Sequence, residues 1–418
     1  MTTKSDFIIN QDDYVAFDAI SLKDLIIERM NDQQIFTDQN YEGSNLSSVI
    51  DIIAYSYHVL LFYLNKNSAE SNFSSADLYE NINQIVKSID YNPTGPQTPN
   101  LSFEAIANAN LAKNIYTIPR YSYFTFGGTT YSFTTDVFVQ KTITGVEALT
   151  DLQNNNLLYN GQFVELPIVT AIGEDFEVVT LAPTNTDSNF YIDNNNIDIY
   201  VKSVGLSTKW EKWERTTSLY LENASSQKYS VRYNENDKYE IKFGNNINGK
   251  RLSTGDQIAI YFLKSDGTNG EVSKNTINNQ QLYFYNTTRF TQIKSDVGVQ
   301  NVITPANAAN ISFTNKNSST AFKTKESVSE IKSNAPKLFN SQYRLVTTAD
   351  YKNYILKNFG NWVKSASVVN NHDYLNGYQK YFFATLNVDR PNSDSRVLFN
   401  QINFADACDF NNIYIFAV

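Results

Sequence analysis

The sequence predicts an α+β protein of several domains, because three kinds of pattern follow one another along its 418 residues. Apolar residues recur every three or four positions up to about residue 92, which is typical of packed helices. Short apolar and aromatic runs then predict a β-rich middle, either an antiparallel sandwich or several small sheets. Capped helix starts and two further strand-like runs predict an α+β module at the end. We therefore expect three domains, over residues 1–92, 93–315 and 316–418.

The N-terminal helices carry an apolar seam, which is strongest in Leu46–Leu64. Its residues are spaced alternately four and three apart, as on the contact face of a coiled coil, and a second segment ending at Ile89 repeats the spacing. Such faces pack together at a shallow angle, so a helical bundle is predicted. The predicted helix-bundle interface consists of Leu46, Ile50, Ile53, Tyr57, Leu60, Leu64, Leu78, Ile82, Ile85 and Ile89. Val49, Ile52, Val59 and Leu61 widen the apolar surface beyond this stripe, and either the β domain of the same chain or a partner chain would cover it.

Capping patterns predict where other helices begin. Ser21-Leu22-Lys23-Asp24 has the form of a capping box, and so have Ser327-Val328-Ser329-Glu330 and the segment from Thr347 to Asp350. Pro336 is expected to end or kink the helix after Ser327, because proline has no N–H to donate.

Two segments define the β-rich middle. The proline-rich stretch 93–99 marks the predicted boundary before it. Within it, Gly244 and Gly249-Lys250 have the spacing of a nucleotide-binding loop, but Arg251 stands where that loop needs a hydroxyl. An apolar, β-branched and aromatic run follows at Gln257–Leu263, so strand, turn and strand are predicted here instead of a phosphate site.

Composition and charge argue against several function classes. The net charge is −9, with no basic run, so direct nucleic-acid binding is not expected. Only two histidines and one cysteine are present, and the acids are scattered, so no catalytic, metal or cofactor site is nominated. The N-terminus carries acids where a signal peptide would be basic. Leu46–Leu64 contains Asp51, Ser56 and His58, so no apolar stretch is taken to reach membrane-spanning length, and a soluble protein without membrane insertion is expected.

Several segments, in order, resemble the baseplate J-like family, the wedge subunits of contractile phage tails. Phe243–Gly270 is similar to the family pattern F-G-[DN]-x-x-x-G-[KR], a strand and a second glycine-rich turn. Phe36–Leu64 and Leu78–Tyr91 look like the N-terminal helices of the larger wedge subunit. Ile331–Tyr351 carries the most specific block, A-P followed by Q-x-R-x-V-T-x-x-D-Y.

The resemblance implies a structural protein of the virion tail baseplate, assembled in the host cytoplasm and without a cofactor. It implies a homodimer within each wedge, bundling with other wedge proteins, and contacts with neighbouring wedges and a central hub that rearrange on contraction. Arg344 is expected to pair with Asp350 or with a neighbouring subunit. Because the last residues, 413–418, look like a strand, the third domain is expected to be a shorter version or to be truncated.

Two other function classes stay open from the residues alone. The tyrosine and tryptophan content, with Trp210 and Trp213 three apart, would suit a receptor- or glycan-binding tail protein, although ordinary core and edge packing is the more usual role of such a pair. A tail-associated glycan hydrolase would need only a pair of acids.

Overall fold

The fold was analysed in a computed structural model that describes residues 19–32, 45–107, 115–140, 157–181, 190–205, 209–278, 280–342, 344–359, 363, 365–370, 374 and 413–417. Two compact units divide the chain, Met1–Ile85 and Val86–Val418. Helices dominate the described part of the first unit, and sheets dominate the second. The α+β class predicted from the sequence is confirmed.

Seven helices lie in the described residues. Their bounds are α1 Ala19–Asp32, α2 Asn45–Glu70, α3 Tyr79–Lys87, α4 Thr288–Val297, α5 Pro305–Ala308, α6 Val328–Ser341 and α7 Thr348–Asn358. The predicted capping boxes of the last two are confirmed. In each, the N-cap hydroxyl of Ser327 or Thr347 accepts from the backbone three residues on, and the acidic side chain there accepts in return from the cap backbone.

Eighteen strands are described, most of them short. They are β1 Asn100–Ser102, β2 Glu104–Ala107, β3 Ile115–Ile118, β4 Tyr123–Phe126, β5 Thr129–Ser132, β6 Val137–Gln140, β7 Leu157–Asn160, β8 Gln162–Glu165, β9 Val169–Thr170, β10 Val178–Leu181, β11 Tyr191–Lys202, β12 Glu211–Thr216, β13 Lys228–Tyr233, β14 Tyr239–Lys242, β15 Gln257–Ser265, β16 Ile311–Thr314, β17 Ala366–Asn370 and β18 Ile413–Ala417.

The largest sheet has the order β10-β14-β13-β12-β11-β15-β8, with β9 added beside β15. Its pairs are antiparallel except β12 with β13, which run parallel, so the sheet is mixed. Strand β15 is apolar on both faces and is buried over nearly its whole length. A continuous apolar run is what a strand buried on both faces requires. The strand predicted at Gln257–Leu263 is therefore confirmed, as an interior strand between β11 on one side and β8 and β9 on the other.

A smaller sheet, β1-β7-β5-β4, packs an aromatic core. The predicted hairpin is present here: β4 and β5 pair with Phe126 opposite Thr129, and Gly127 and Gly128 both have positive φ. Both tryptophans predicted as core or platform residues are buried, Trp210 among aromatic residues that include Tyr121 and Tyr261. Buried indoles do not offer a stacking surface, so core packing is the correct interpretation.

The segment whose glycines have the spacing of a nucleotide-binding loop is a turn between two strands. Asn246 and Gly249 adopt positive φ, and Gly244 lies so close to Gly249 that an added Cβ would meet its carbonyl group at 2.2 Å. The described residues between Phe243 and β15 contain no helix, whereas a phosphate loop needs a helix start. The predicted strand, turn and strand are confirmed.

The proline-rich segment 93–99 is buried in the second unit. Its backbone is held by side chains of β11: Gly95 N donates to Asn194 Oδ1 at 3.1 Å, and Thr98 N donates to Asp193 Oδ1 at 2.7 Å. Gln97 also pairs with Lys323 through backbone hydrogen bonds in both directions. The segment therefore follows a fixed path, and the domain division predicted at residue 93 stays a prediction.

Two helix-boundary predictions are corrected by the structure. Pro336 does not end α6, which continues five residues further to Ser341, and the alternative of a kink stays a prediction. A proline inside a helix removes one hydrogen bond, and the buried residues Ile331 and Ala335 on the preceding turn hold the helix in place against that loss. Ser21 lies within α1, which begins at Ala19, so it is not the cap. The second of the two strand-like runs predicted in the last module, residues 381–388, lies outside the described residues.

Candidate assembly surface

Helix α2 carries the largest group of exposed apolar side chains in the described chain. Of the predicted seam, Ile50 is buried, Leu46 is half-buried, and Ile53, Tyr57, Leu60 and Leu64 are exposed. Among these seam residues, the exposed fraction of the side chain is larger in the C-terminal half of α2, where Leu60 is 63% and Leu64 58% accessible. We define the α2 apolar surface by the exposed residues Val49, Ile52, Ile53, Tyr55, Tyr57, Leu60, Phe62, Tyr63 and Leu64.

Helix α1 packs against the N-terminal half of α2. Lys23 Nζ lies 2.8 Å from a carboxylate oxygen of Asp51, and Ile50 and Ala54 are the buried residues of this half. The alternating spacing of four and three residues predicted one contact stripe along α2. In the described part of the first unit, only the beginning of that stripe is covered by other residues.

The α2 apolar surface extends around the helix and is not a single stripe. Phe62, Tyr63 and Leu64 are consecutive and all exposed, so they point about 100° apart on different sides. Tyr55, Phe62 and Tyr63 lie outside the periodic seam from which the interface was predicted, and a count of apolar residues on every side of the helix is the signal that finds them. Each such side chain left in water forgoes about 1.5–3 kcal/mol of burial free energy, and a helix apolar on all sides is normally enclosed.

By length and apolar composition α2, with 26 residues, is also the one described helix that could cross a membrane. The expectation that no apolar stretch reaches that length is therefore wrong. Asp51, Ser56 and His58 lower the mean hydropathy of the helix less than their apolar neighbours raise it. The Ser56 hydroxyl also donates a hydrogen bond within the helix, to the Ile52 carbonyl at 2.7 Å. One such helix is weak evidence for a membrane segment, and the absence of membrane insertion stays a prediction.

Glu70, the last residue of α2, fixes the turn into α3. Its Oε2 accepts from the Asn81 side chain at 3.1 Å and from the backbone N–H groups of Leu78 at 3.1 Å and Asp77 at 3.2 Å. The Asn81 hydrogen bond and these backbone donors lower the pKa of Glu70 to about 2. The free N–H groups at the start of α3 thus find an acceptor, which favours a defined angle between the two helices.

The second half of the predicted interface is less accessible. Leu78 is exposed, Ile85 and Ile89 are half-buried, and Ile82 is buried. Arg344 is exposed and forms no ion pair with Asp350 among the described residues. Asp350 instead accepts from the Thr347 backbone at 2.8 Å, and this hydrogen bond lowers its pKa. The intrachain pairing is therefore not present, and the contact of Arg344 with a neighbouring subunit stays a prediction.

The strongest buried charge cluster in the second unit is fully paired. Arg120 contacts Asp136 at 3.4 Å and Asp198 at 3.2 Å, Lys212 contacts Asp198 at 3.0 Å, and the Tyr121 hydroxyl donates to Asp198 at 2.6 Å. Burial opposes the ionised form, but the charges of Lys212 and Arg120 outweigh it and lower the pKa of Asp198. A fully paired cluster ties β11 and β12 to the β3–β4 turn and leaves no free acid or base. No group of three metal-ligating side chains occurs in the described part of the chain.

A second polar cluster lies where α7 meets residues 91–94. Lys357 Nζ is 3.2 Å from the centre of the Tyr91 ring and donates to the Asn92 carbonyl at 3.3 Å. Glu326 accepts from the Tyr91 hydroxyl at 2.6 Å and the Thr94 backbone at 3.0 Å. Burial lowers the pKa of Lys357 to about 7, although the charge of Glu326 partly opposes this shift.

This lysine should make stability depend on pH. An unfolded lysine keeps its proton up to about pH 10.4, so between pH 7 and 10 the unfolded chain binds more protons, and the free energy of unfolding rises with pH. We expect Lys357→Met to flatten that rise. Urea midpoints at pH 6.5 and 9, followed by tryptophan fluorescence, measure it. Lys352→Met, on the exposed side of α7, is the control, and equal pH slopes in Lys357→Met and the wild type would contradict the assignment.

No protein-family model matches the chain. A curated relative nevertheless places it beside baseplate wedge proteins, the class that its sequence segments resemble. That relative is the baseplate wedge protein gp6 of Enterobacteria phage T4, which is 24% identical over 272 residues. The match covers 60% of this chain and 39% of gp6, so the chain spans well under half of that relative's length. The resemblance to baseplate wedge proteins predicted from the sequence is confirmed.

One solved structure is also similar, a chain in the cryo-EM structure of the anti-feeding prophage baseplate, symmetrised sixfold. It shares 10% identity over 75% of this chain and 53% of that chain, with a TM-score of 0.20. A TM-score this low carries no argument about the fold.

Proposed function

We propose that this chain is a structural subunit of a contractile phage tail, located in the baseplate as part of a wedge. The similarity to a baseplate wedge protein supports this function, and the α2 apolar surface is the observation that carries it. A helix exposed on several sides needs polypeptide on several sides, as a subunit of a helical bundle has. The proposed role is assembly and not bond chemistry.

The proposed bundle interface is the predicted set from Leu46 to Ile89, enlarged by Tyr55, Phe62 and Tyr63. Its partners are a second copy of the chain within the wedge and other wedge proteins, with neighbouring wedges and the central hub further out. Arg344, exposed beside the capped start of α7, is proposed as a polar contact to a neighbouring subunit. When the tail contracts, the surfaces buried at these interfaces change, because the two states of the assembly bury different surfaces.

The test is the mass of the chain alone and together with the other wedge proteins encoded beside it. We expect light scattering to show a dimer or a larger complex that contains the co-expressed partners, since burial of nine apolar side chains strongly favours association. Assembly in the cytoplasm of an expressing bacterium would be seen by co-purification from the soluble fraction. A chain that stays strictly monomeric with every partner would overturn the proposal.

A further inference from the structure

A cavity of about 290 Å³ lies in the second unit between the buried segment 93–97, the sheet and helices α6 and α7. Most of the residues that line it carry amides, hydroxyls or basic groups, and Pro93, Val231 and Leu338 add apolar surface. The polar lining residues include Gln97, Asn194, Arg215, Thr216, Tyr354 and Lys357. Among the described lining residues none is Asp or Glu, although the chain as a whole carries a net charge of −9.

The two basic groups each donate to a backbone carbonyl, and the nearest carboxylates, Asp193 for Arg215 and Glu326 for Lys357, act on them through charge without forming an ion pair. Arg215 donates through Nη1 to the Asn194 carbonyl, and Lys357 donates to the Asn92 carbonyl at 3.3 Å. Neither forms an ion pair within the part of the chain that the structure describes. Glu326 lines the adjoining cavity, which shares Tyr354 and Lys357 with this one, and its carboxylate is already held by Tyr91, Thr94 and Asn334. Two cations on one polar wall would stabilise an anion there.

The buried side chain of Gln97 indicates that an anion bound in this cavity would also carry a hydrogen-bond donor. Its side chain is 4% exposed, and its Oε1 has no hydrogen-bond partner, whereas its backbone is paired with Lys323. A buried acceptor without a donor costs about 1–3 kcal/mol, so a ligand that brings an N–H or O–H group recovers that free energy. A carboxylate with an amide N–H close to it, as in an acidic peptide residue, supplies both groups.

We propose that this cavity is a binding site for a carboxylate that carries a hydrogen-bond donor beside it, held by Arg215 and Lys357. Arg215, which is exposed toward solvent, binds the carboxylate oxygens, and Lys357 approaches from the α7 side. The Oε1 of Gln97 accepts the neighbouring N–H. This site does not depend on the proposed baseplate function, because it needs only the second unit.

Binding should also take up protons. Lys357 is about half protonated near pH 7, and a carboxylate in the cavity favours its charged form. Calorimetry of the full chain at pH 7 in two buffers of different ionisation enthalpy measures that uptake. The probes are the peptide acetyl-Glu-Glu-Glu-amide, its glutamine counterpart as a neutral match, and glutarate as a free dicarboxylate.

We expect the glutamate peptide to bind with uptake of up to about half a proton, and the glutamine peptide not to bind. Lys357→Met should weaken binding at least tenfold and abolish the uptake, and Arg215→Met should weaken binding at least tenfold. Lys352→Met should bind as the wild type does. Glutarate brings no N–H group at pH 7, so equal binding of glutarate would overturn the required donor to Gln97, and binding of the peptide alone would support it and assign the site to a polypeptide.

Circular dichroism of each variant shows whether it folds. If Lys357→Met does not fold, Arg215→Met still tests the site. Equal binding of the glutamine peptide, or unchanged affinity in both variants, would overturn the proposal.

Discussion

Replacing Leu60 and Leu64 together by aspartate is expected to abolish assembly with the wedge partners while the chain itself stays folded. The two leucines are 63% and 58% exposed, so the isolated chain gains little from them. In a bundle each would bury its side chain for about 1.5–3 kcal/mol. Losing both costs about 4 kcal/mol, or roughly a thousandfold in affinity, before the added cost of burying two carboxylates.

Co-purification and light scattering measure that loss, and circular dichroism checks the helix content. The matched control is Ile247→Asp, which places a charge on another exposed apolar residue, 72% accessible, in a turn of the second unit. The control should assemble normally. If the double variant assembles as well as the control, the α2 apolar surface is not the interface.

Gly161→Ala is expected to destabilise the second unit by about 3–5 kcal/mol. Gly161 joins β7 to β8 with φ +121°, and a Cβ there would lie 2.2 Å from the Lys264 carbonyl oxygen. Strained backbone of this kind costs about 1–3 kcal/mol in a residue other than glycine. The clash adds a further 1–3 kcal/mol, because β8 is paired with β15 at Lys264 and the backbone of a central strand cannot move aside.

Gly128→Ala is the matched control, since Gly128 also has positive φ, +85°, but nothing lies within 4 Å of its added Cβ. Only the backbone cost of about 1 kcal/mol remains there. Urea denaturation followed by tryptophan fluorescence separates the two variants, because all three tryptophans lie after residue 200. Equal midpoints in both variants would show that the approach to Lys264 is not as close as described.

Local chemistry decides which elements could be predicted from the sequence. The capping boxes at Ser327 and Thr347 were found because the atoms that make them lie within four residues. Strand β15 was found because a short apolar run with β-branched and aromatic residues, bounded by glycines, is typical of a buried strand. The continuation of α6 through Pro336 was missed, since packing of Ile331 and Ala335 outweighs the missing donor and is not visible locally.

The candidate sites divide in the same way. The seam of α2 was visible as a periodic pattern, but its exposure on several sides depends on what other elements leave uncovered. The cavity at Arg215 and Lys357 could not be predicted, because its lining residues come from six separate parts of the chain. No spacing rule brings Gln97, Asn194, Arg215 and Lys357 together; only the fixed path of residues 93–99 beneath the sheet does so.

That fixed path has a mechanical consequence. Tension passed along the chain from the helices before residue 93 reaches first the contacts of residues 91–94 with Glu326 and Lys357. It then reaches the backbone of residues 95–98, which Asn194, Lys323 and Asp193 hold at three nearly successive positions. A protein that works under sudden strain would resist extension at this point, and the helices would yield before the sheet does.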